Sequence, residues 1–212
     1  MKGFDQYGMI PVDYGTILNH LSDYKSPKDK VSKLEKSGDL IRLKKGLYLI
    51  SPTLSKQTLS IELIANHLYG PSYISFESAL SFYGLIPERV YSVKSATSKR
   101  SKKYLTPIGN YEYITVPEHY FSVGLNQKII RDSFAFIIAS PEKAICDLVL
   151  STPGLRLQSQ KAMNEYLIDD LRVDFESVKA INPEIIKECV QFGYKKKELE
   201  LLHKVLLNLN QV

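Results

Sequence analysis

Hydrophobic residues follow helical spacing twice near the start of the chain. The first helix is predicted to begin near Asp13 and to end before Lys25, because its apolar positions fall at i, i+3, i+4 and i+7: Tyr14, Ile17, Leu18 and Leu21. The second is predicted to begin after Ser26, a favourable N-cap, with Pro27 in its first turn, and to end at Gly38. We expect the apolar faces of the two helices to pack together and against inward strand residues; this set is Val31, Leu34, Ile41 and Leu43.

A β-hairpin is predicted directly after the second helix. Residues 40–43 and 47–50 are apolar runs, and residues 44–46 (Lys-Lys-Gly) suit a three-residue loop with glycine at positive φ. Two helices followed by a basic hairpin are the layout of a winged helix-turn-helix, in which one helix enters the major groove and the hairpin contacts phosphates. Either residues 3–10 supply the short first helix of such a unit, or the unit is a trimmed version.

The remainder of the chain predicts an α+β fold. Helices are expected at 61–68, 75–84 and from Ser140 onward, β-rich segments at 91–93 and 111–114, and a central buried strand at 134–138. The pattern after residue 154 is helical. We therefore expect a winged helix-turn-helix (1–54), an α+β domain with a small mixed sheet (55–154) and a helical C-terminal region packed on it (155–212), with residues 51–56 as a linker.

Basic side chains are concentrated around the second helix and the hairpin. The chain has 28 basic and 23 acidic side chains and a net charge of +5, and seven basic but only three acidic residues lie between Ser26 and Gly46. The candidate DNA-binding residues are Lys28, Lys30, Lys33, Lys36, Arg42, Lys44 and Lys45. Lysines on a short exposed helix are also typical of a merely solvated face, but the order of the elements favours DNA binding.

A second basic segment lies between residues 89 and 103 and contains no acidic side chain. Its cations are Arg89, Lys94, Lys99, Arg100, Lys102 and Lys103. Two interpretations remain open. The segment either holds nucleic acid or an acidic partner, or forms a solvated hairpin whose lysines protect an exposed sheet edge from pairing.

Motifs for enzymatic chemistry and cofactor binding are missing from the sequence. The four histidines are scattered without metal-ligand spacing, and no phosphate-binding or nucleophile motif occurs, so we expect no cofactor, no metal and no catalytic residue. Glu142 and Asp147 lie five residues apart on a predicted helix and are expected to face solvent. Cys146 and Cys189 are expected to be buried, reduced thiols. With neither a signal sequence nor a transmembrane run, a cytoplasmic location is expected.

Four segments together resemble the AbiEi family of antitoxins and transcriptional regulators of type IV toxin–antitoxin systems. They are GDLIRLKKGLYLI (38–50), YISFESALSFYGLIP (73–87), SATSKR (95–100) and SPEKAICDLV (140–149). The order and spacing of these motifs carry the resemblance, which spans residues 13–150; the helical tail is similar only in general character. The motifs place Arg42, Lys44 and Lys45 in the wing of that family, and the other matching positions are Ser75, Glu77, Ser78, Ala79, Glu142, Lys143 and Asp147.

The resemblance implies a function in phage abortive infection. It implies an N-terminal winged helix that represses the protein's own operon, and an antitoxin-type domain that counteracts a nucleotidyltransferase toxin without needing a stable complex. Because one helix reads only a few base pairs of double-stranded DNA, we expect a dimer or paired half-sites on an inverted repeat in that promoter. The residues themselves leave three alternatives open: a winged-helix regulator without enzymatic activity, a protein-interaction module without a toxin partner, and an enzyme acting on nucleic acid. They also leave open the oligomeric state.

Overall fold

The N-terminal elements form a small helical layer on a short sheet. The structure, a computed structural model, describes residues 3–88, 90–130, 134–174 and 182–209. In chain order the first elements are a 3-10 helix (Phe4–Tyr7), β1 (Val12–Asp13), α1 (Tyr14–His20), α2 (Pro27–Lys36), β2 (Leu40–Lys44), β3 (Leu47–Ile50) and α3 (Pro52–Ser55). The sheet is antiparallel with the order β1-β3-β2. Both predicted helices and the predicted hairpin are confirmed as elements.

Local signals in the sequence explain where these elements begin and end. The Asp13 side chain accepts a hydrogen bond from the Thr16 N–H at 3.0 Å and so caps α1. Gly38 after α2 and Gly46 in the hairpin loop have φ of 77° and 82°, conformations that cost other residues strain. Ser26 precedes α2 as expected, but its hydroxyl bonds to the Asp29 carboxylate instead of capping the helix.

The hairpin is shared between two hydrophobic cores. One face carries Leu40, Tyr48 and Ile50, which pack in the N-terminal core with α1 and α2; that core also contains Phe4, Val12, Ile17, Leu21, Val31 and Leu34. The opposite face carries Leu43 and Leu49, which belong to the main core. Most of the main core lies in the body, a name used for the described residues from 57 onward. The expectation that Ile41 and Leu43 pack on the helices is therefore wrong: alternation along the strand turns them to the body.

A β-bulge in β2 changes the direction of Lys44. The register shifts between Arg42 and Lys44, so Arg42 lies opposite Tyr48 while Lys44 lies opposite Leu47. Opposed residues share a face, and Leu47 packs on the body. Lys44 therefore points to the body, although simple alternation would place it with Leu40 and Arg42.

Residues 51–56, predicted to be a linker, contain the short helix α3. Its flanking residue Ser51 and its last residue Ser55 are both buried, and α3 packs on the N-terminal 3-10 helix. The proline at position 52 occupies the first turn of this helix, where a missing N–H is tolerated. The segment joins two packed regions and is itself packed.

The body is an α+β unit built on a mixed sheet. Its first elements are α4 (Ile61–Leu68), β4 (Ser72–Ile74), α5 (Phe76–Phe82), β5 (Ser92–Thr97), β6 (Lys102–Thr106), β7 (Gly109–Thr115), α6 (Glu118–Phe121), β8 (Leu125–Ile130), β9 (Phe134–Ala139) and α7 (Pro141–Ser151). Within the described residues the sheet has six strands in the order β6-β7-β5-β4-β9-β8. The parallel pairs are β5–β7 and β4–β9, and the other pairs are antiparallel.

This sheet is larger than the small sheet expected from the sequence. The strands at β5, β7 and β9 were predicted, whereas β4, β6 and β8 were not. β4 has three residues, and the edge strands β6 and β8 are half-exposed with mixed polar character. None of these three strands has the length and alternation that identify a strand in sequence.

The C-terminal region is helical, as predicted. It contains α8 (Gln160–Glu165), which continues into a π-helical turn (Tyr166–Asp170), then α9 (Pro183–Phe192) and α10 (Lys196–Leu209). Helices α9 and α10 pack on α7 and on each other. Cys146 on α7 and Cys189 on α9 are free and buried, as expected, and burial raises the pKa of the Cys146 thiol.

Two adjacent side chains cap the C-terminal end of α7. The Lys195 ammonium donates to the carbonyls of Val149 and Thr152 at 2.9 and 2.8 Å, and the Tyr194 hydroxyl donates to Leu150 O. The last carbonyls of a helix lack partners within it, and a cation there also complements the helix dipole. This contact fixes the chain between α9 and α10 to α7.

We expect Lys195→Met to lower the free energy of unfolding by about 1–2 kcal/mol, because two α7 carbonyls lose a charged donor. Urea denaturation followed by far-UV circular dichroism measures the change. Lys196→Met removes an equal charge from an exposed neighbour and is the matched control. Equal stability of the two variants would show that the cap contributes nothing.

Candidate nucleic-acid interface

Helix α2 presents one buried and one solvated face. Val31 and Leu34 are buried in the N-terminal core. The residues on the opposite face, all exposed, are Lys28, Asp29, Ser32, Lys33 and Lys36. At 100° per residue these five positions cover an arc of about 140°, wide enough for one side of a helix to contact a groove.

The cations of this face are free of ion pairs. In the described parts of the chain, Lys28, Lys33 and Lys36 have no carboxylate within 4.0 Å. Lys30 lies at the side of the helix, half-buried, with its ammonium 5.2 Å from the centre of the Tyr24 ring in a cation–π contact. Three of the four helix candidates therefore face solvent together, and the fourth is held against the preceding turn.

The three hairpin candidates lie in different environments. Lys45 is exposed in the loop, and its side chain has no carboxylate within 4.0 Å among the described residues. Arg42 is exposed but lies 3.8 Å from the Glu35 carboxylate of α2. Lys44 donates to Leu68 O at 2.6 Å, so its ammonium is already partly satisfied by the body. The structure therefore separates Lys44 from the free cations of α2.

The second basic segment is divided by its contacts. Lys94 pairs with Glu77 and Lys103 with Glu112, each at 2.8 Å. The carboxylates that pair with these two cations lie outside the segment, on α5 and β7, so the composition of the segment does not indicate them. Arg100 is exposed, and Arg89 lies outside the described residues.

Lys99 and Lys102 lie against tyrosine rings. The Lys99 ammonium donates to Gly70 O at 2.6 Å and lies 5.7 Å from the centre of the Tyr69 ring. The Lys102 ammonium lies 4.9 Å from the Tyr104 ring centre and 5.6 Å from that of Tyr69. Lys44 reaches the same Tyr104 ring at 5.8 Å, so the hairpin and the second segment meet here. The part played by Tyr69 was not predicted.

The structure also contains a buried charged cluster, two members of which were expected at the surface. Glu142 and Asp147, expected to face solvent, are 4% and 0% exposed, and Lys143 is 0% exposed. The Lys143 ammonium lies 3.2 Å from the Asp147 carboxylate and donates to Tyr120 O at 2.9 Å. The Ser75 hydroxyl donates to the other oxygen of Asp147 at 2.5 Å.

This cluster connects α7 to the start of α5 and to α6. The sequence pattern of α7 predicted that its acidic side chains face solvent. In the structure, however, helices α5 and α9 pack on α7. Burial, followed by the negative charge of Asp147, raises the pKa of Tyr73 and Tyr120 far above the ordinary value. The side chains of the cluster are closed to solvent and link α7 to the residues that begin α5 and to α6.

The described residues also give negative results on metals and membranes. No group of three or more His, Cys, Asp or Glu side chains in these ranges lies close enough to hold a metal ion. In the same ranges, every helix is too short or too polar to cross a lipid bilayer.

Comparison with known proteins shows a distant similarity to a solved structure. No protein-family model matches the sequence, and no curated protein matches it. The fold is similar to the crystal structure of the RV2827C protein from Mycobacterium tuberculosis, with 12% sequence identity and a TM-score of 0.48 over 96% of this chain and 77% of that chain.

We expect Asp147→Asn to lower the free energy of unfolding by about 3–5 kcal/mol, because it leaves the Lys143 charge buried without its partner. Replacing both residues, as Lys143→Met with Asp147→Leu, should cost less than the single change. The measurement is urea denaturation of each variant. The matched control is Glu165→Gln in the exposed i,i+4 pair with Lys161, where we expect about 0.5 kcal/mol or less. Similar losses at both pairs would contradict the importance of burial.

Proposed function

We propose that this protein is a cytoplasmic DNA-binding regulator without enzymatic activity, and that its N-terminal elements act as a winged helix-turn-helix. The observation that carries the proposal is the outward face of α2, where Lys28, Lys33 and Lys36 are exposed together and form no ion pair with any residue that the structure describes. In this arrangement α2 is the recognition helix, α1 supports it from behind, and the hairpin β2–β3 is the wing.

The packing of the N-terminal elements supports this assignment. The buried face of α2 is fixed against α1 and the hairpin, so its exposed face is a rigid, convex surface. A recognition helix needs such a surface, because the major groove is only about 12 Å wide and admits little more than one helix. Lys45 in the loop is available to contact a phosphate beside the groove.

The body side of the hairpin carries a second group of cations, separate from the outward face of α2. Lys102 and Lys44 share the Tyr104 ring, and Lys99 lies on the adjoining Tyr69 ring. These contacts hold the ammonium groups in place, which reduces the side-chain entropy that a phosphate contact would otherwise cost. Lys94 and Lys103 are left out of the proposed surface because their charges are paired.

A single recognition helix reads only a few base pairs. We therefore propose that two copies occupy an inverted repeat in the promoter of the protein's own operon, with half-sites one helical turn or a multiple of it apart. A stable dimer in solution is not required, since two monomers on adjacent half-sites satisfy the same geometry.

We expect binding to a duplex from this promoter to weaken with salt, with log K falling by about 0.9 per phosphate contact for each unit of log[salt]. Four contacts give a slope of about −3.6, and Lys28→Ala with Lys33→Ala and Lys36→Ala should lower its magnitude by about 0.9 for each of these lysines that contacts a phosphate. Fluorescence anisotropy at several salt concentrations measures both quantities.

The matched control removes three exposed lysines from the C-terminal region: Lys161→Ala, Lys187→Ala and Lys204→Ala. This variant has the same net charge as the α2 variant. If the two triple variants lose affinity equally, the effect is one of total charge and the α2 surface has no special role. If wild-type affinity does not depend on salt, the DNA-binding proposal fails.

As a second candidate, we propose that the body counteracts a nucleotidyltransferase toxin, as the AbiEi resemblance implies. The observation in its favour is that two segments carrying the resemblance, 73–87 and 140–149, meet through the Ser75–Asp147 hydrogen bond. The motifs thus belong to one packed unit. The alternative is a stand-alone regulator or interaction module without a toxin.

We expect the α2 triple-lysine variant to keep antitoxin activity while losing repression, because the mutated face lies outside the body. The measurement is growth rescue of cells expressing a nucleotidyltransferase encoded in the adjoining reading frame, together with a promoter-reporter assay. The full-length chain is required, since removing the hairpin would expose the part of the main core that Leu43 and Leu49 cover. Loss of rescue at normal protein levels would contradict a separate antitoxin surface in the body.

A further inference from the structure

The outward face of α2 contains one carboxylate among its cations. Asp29 is exposed and lies within the arc formed by Lys28, Ser32, Lys33 and Lys36, between Lys36 and Lys33. A carboxylate repels DNA phosphates, so its position weakens a surface that only contacts the backbone. It becomes favourable where it accepts a hydrogen bond from a base amine. Cytosine N4 suits a carboxylate better than adenine N6 does, because the neighbouring N7 of adenine is itself an acceptor and repels the carboxylate.

Asp29 and Lys33 are spaced to form an ion pair, yet they do not pair. They are four residues apart, a separation at which oppositely charged side chains on a helix are neighbours. No cation in the described parts of the chain lies within 4.0 Å of the Asp29 carboxylate. The Ser26 hydroxyl instead donates to Asp29 Oδ2 at 2.6 Å. This bond orients the carboxylate and leaves Oδ1 available as an acceptor.

The composition of the face also restricts which bases it can read. Adenine is read in the major groove by Asn or Gln, and the thymine methyl group by apolar side chains. Helix α2 is described in full, and its outward positions contain neither type. Lysine donates to O6 and N7 of guanine, so the charged side chains of this face match the two bases of a G·C pair, while the Ser32 hydroxyl can bond to either kind of pair.

We propose that α2 reads G·C base pairs, with Asp29 accepting from cytosine N4 and Lys33 donating to guanine O6 and N7 at an adjacent base pair. This inference rests on the proposed DNA-binding function and names the base chemistry of that surface. Lys28 and Lys36, the first and the last of these positions along the helix, contact phosphates in this arrangement.

The test is selection of bound duplexes from a library with randomised positions, followed by anisotropy with the selected sequence. We expect adjacent cytosine and guanine in each half-site, and about tenfold weaker binding when the cytosine is replaced by thymine. Asp29→Asn should change the preferred base at that position from cytosine to adenine, because an asparagine amide pairs with adenine N6 and N7. The Asn side chain can still accept the Ser26 hydrogen bond, so the fold should be kept.

Asp39→Asn is the matched control. Asp39 is another carboxylate held by a serine, 2.7 Å from the Ser37 hydroxyl, but it lies beyond the end of α2. It should raise affinity for all sequences slightly and leave the base preference unchanged. An unchanged preference in Asp29→Asn, or selected sites without G·C pairs, overturns the inference while DNA binding stands. Failure of the wild-type protein to bind any duplex refutes the DNA-binding function itself, and the inference with it.

Discussion

The two-sided packing of the hairpin determines how the rest of the molecule is arranged. Successive residues of a strand point to opposite faces, so β3 can place Tyr48 and Ile50 in the N-terminal core and Leu49 in the main core. The hairpin is therefore a structural wall between α2 and the body. A wing that packs on one side only would leave its second face exposed or polar, and neither is the case here.

This packing has consequences for cooperativity. Because both cores contain hairpin residues, loss of the hairpin would open both, and unfolding of the N-terminal elements and the body should be linked. Lys44 strengthens the same connection through its hydrogen bond to Leu68 O. A candidate phosphate-binding cation has thus become part of the contact between hairpin and body, while Lys45, one residue further along, is exposed and forms no ion pair with a described residue.

The sequence predicted α1, α2, the hairpin and α7 well, because each has a local signal: a cap, a proline in the first turn, or a glycine at positive φ. It did not predict the direction of Lys44, which depends on the bulge in β2. The alternation of polar and apolar residues does not show where a bulge occurs. It also placed Asp147 outside, because helical periodicity identifies a polar stripe but not the element that covers it. Within the candidate interface, helical periodicity alone predicts the outward face of α2. The cation contacts of the Tyr69 and Tyr104 rings could not be predicted in this way, because they join segments that are distant in sequence.

The small number of exposed, unpaired cations among the described N-terminal elements limits what electrostatics could contribute to the proposed DNA binding. With about four phosphate contacts, raising salt from 50 to 200 mM would weaken binding by roughly two orders of magnitude, and non-specific affinity at physiological salt is commonly only 10⁻⁴–10⁻⁶ M. A net charge of +5 does not offset this by long-range attraction, because charges further apart than about 8 Å are screened at that ionic strength. Useful affinity must therefore come from base contacts, from a second copy on the same site, or from both. An exposed Asp29 carboxylate on the outward face of α2 is consistent with the first source, since it weakens attraction to the phosphates and suits a base that offers an amine donor.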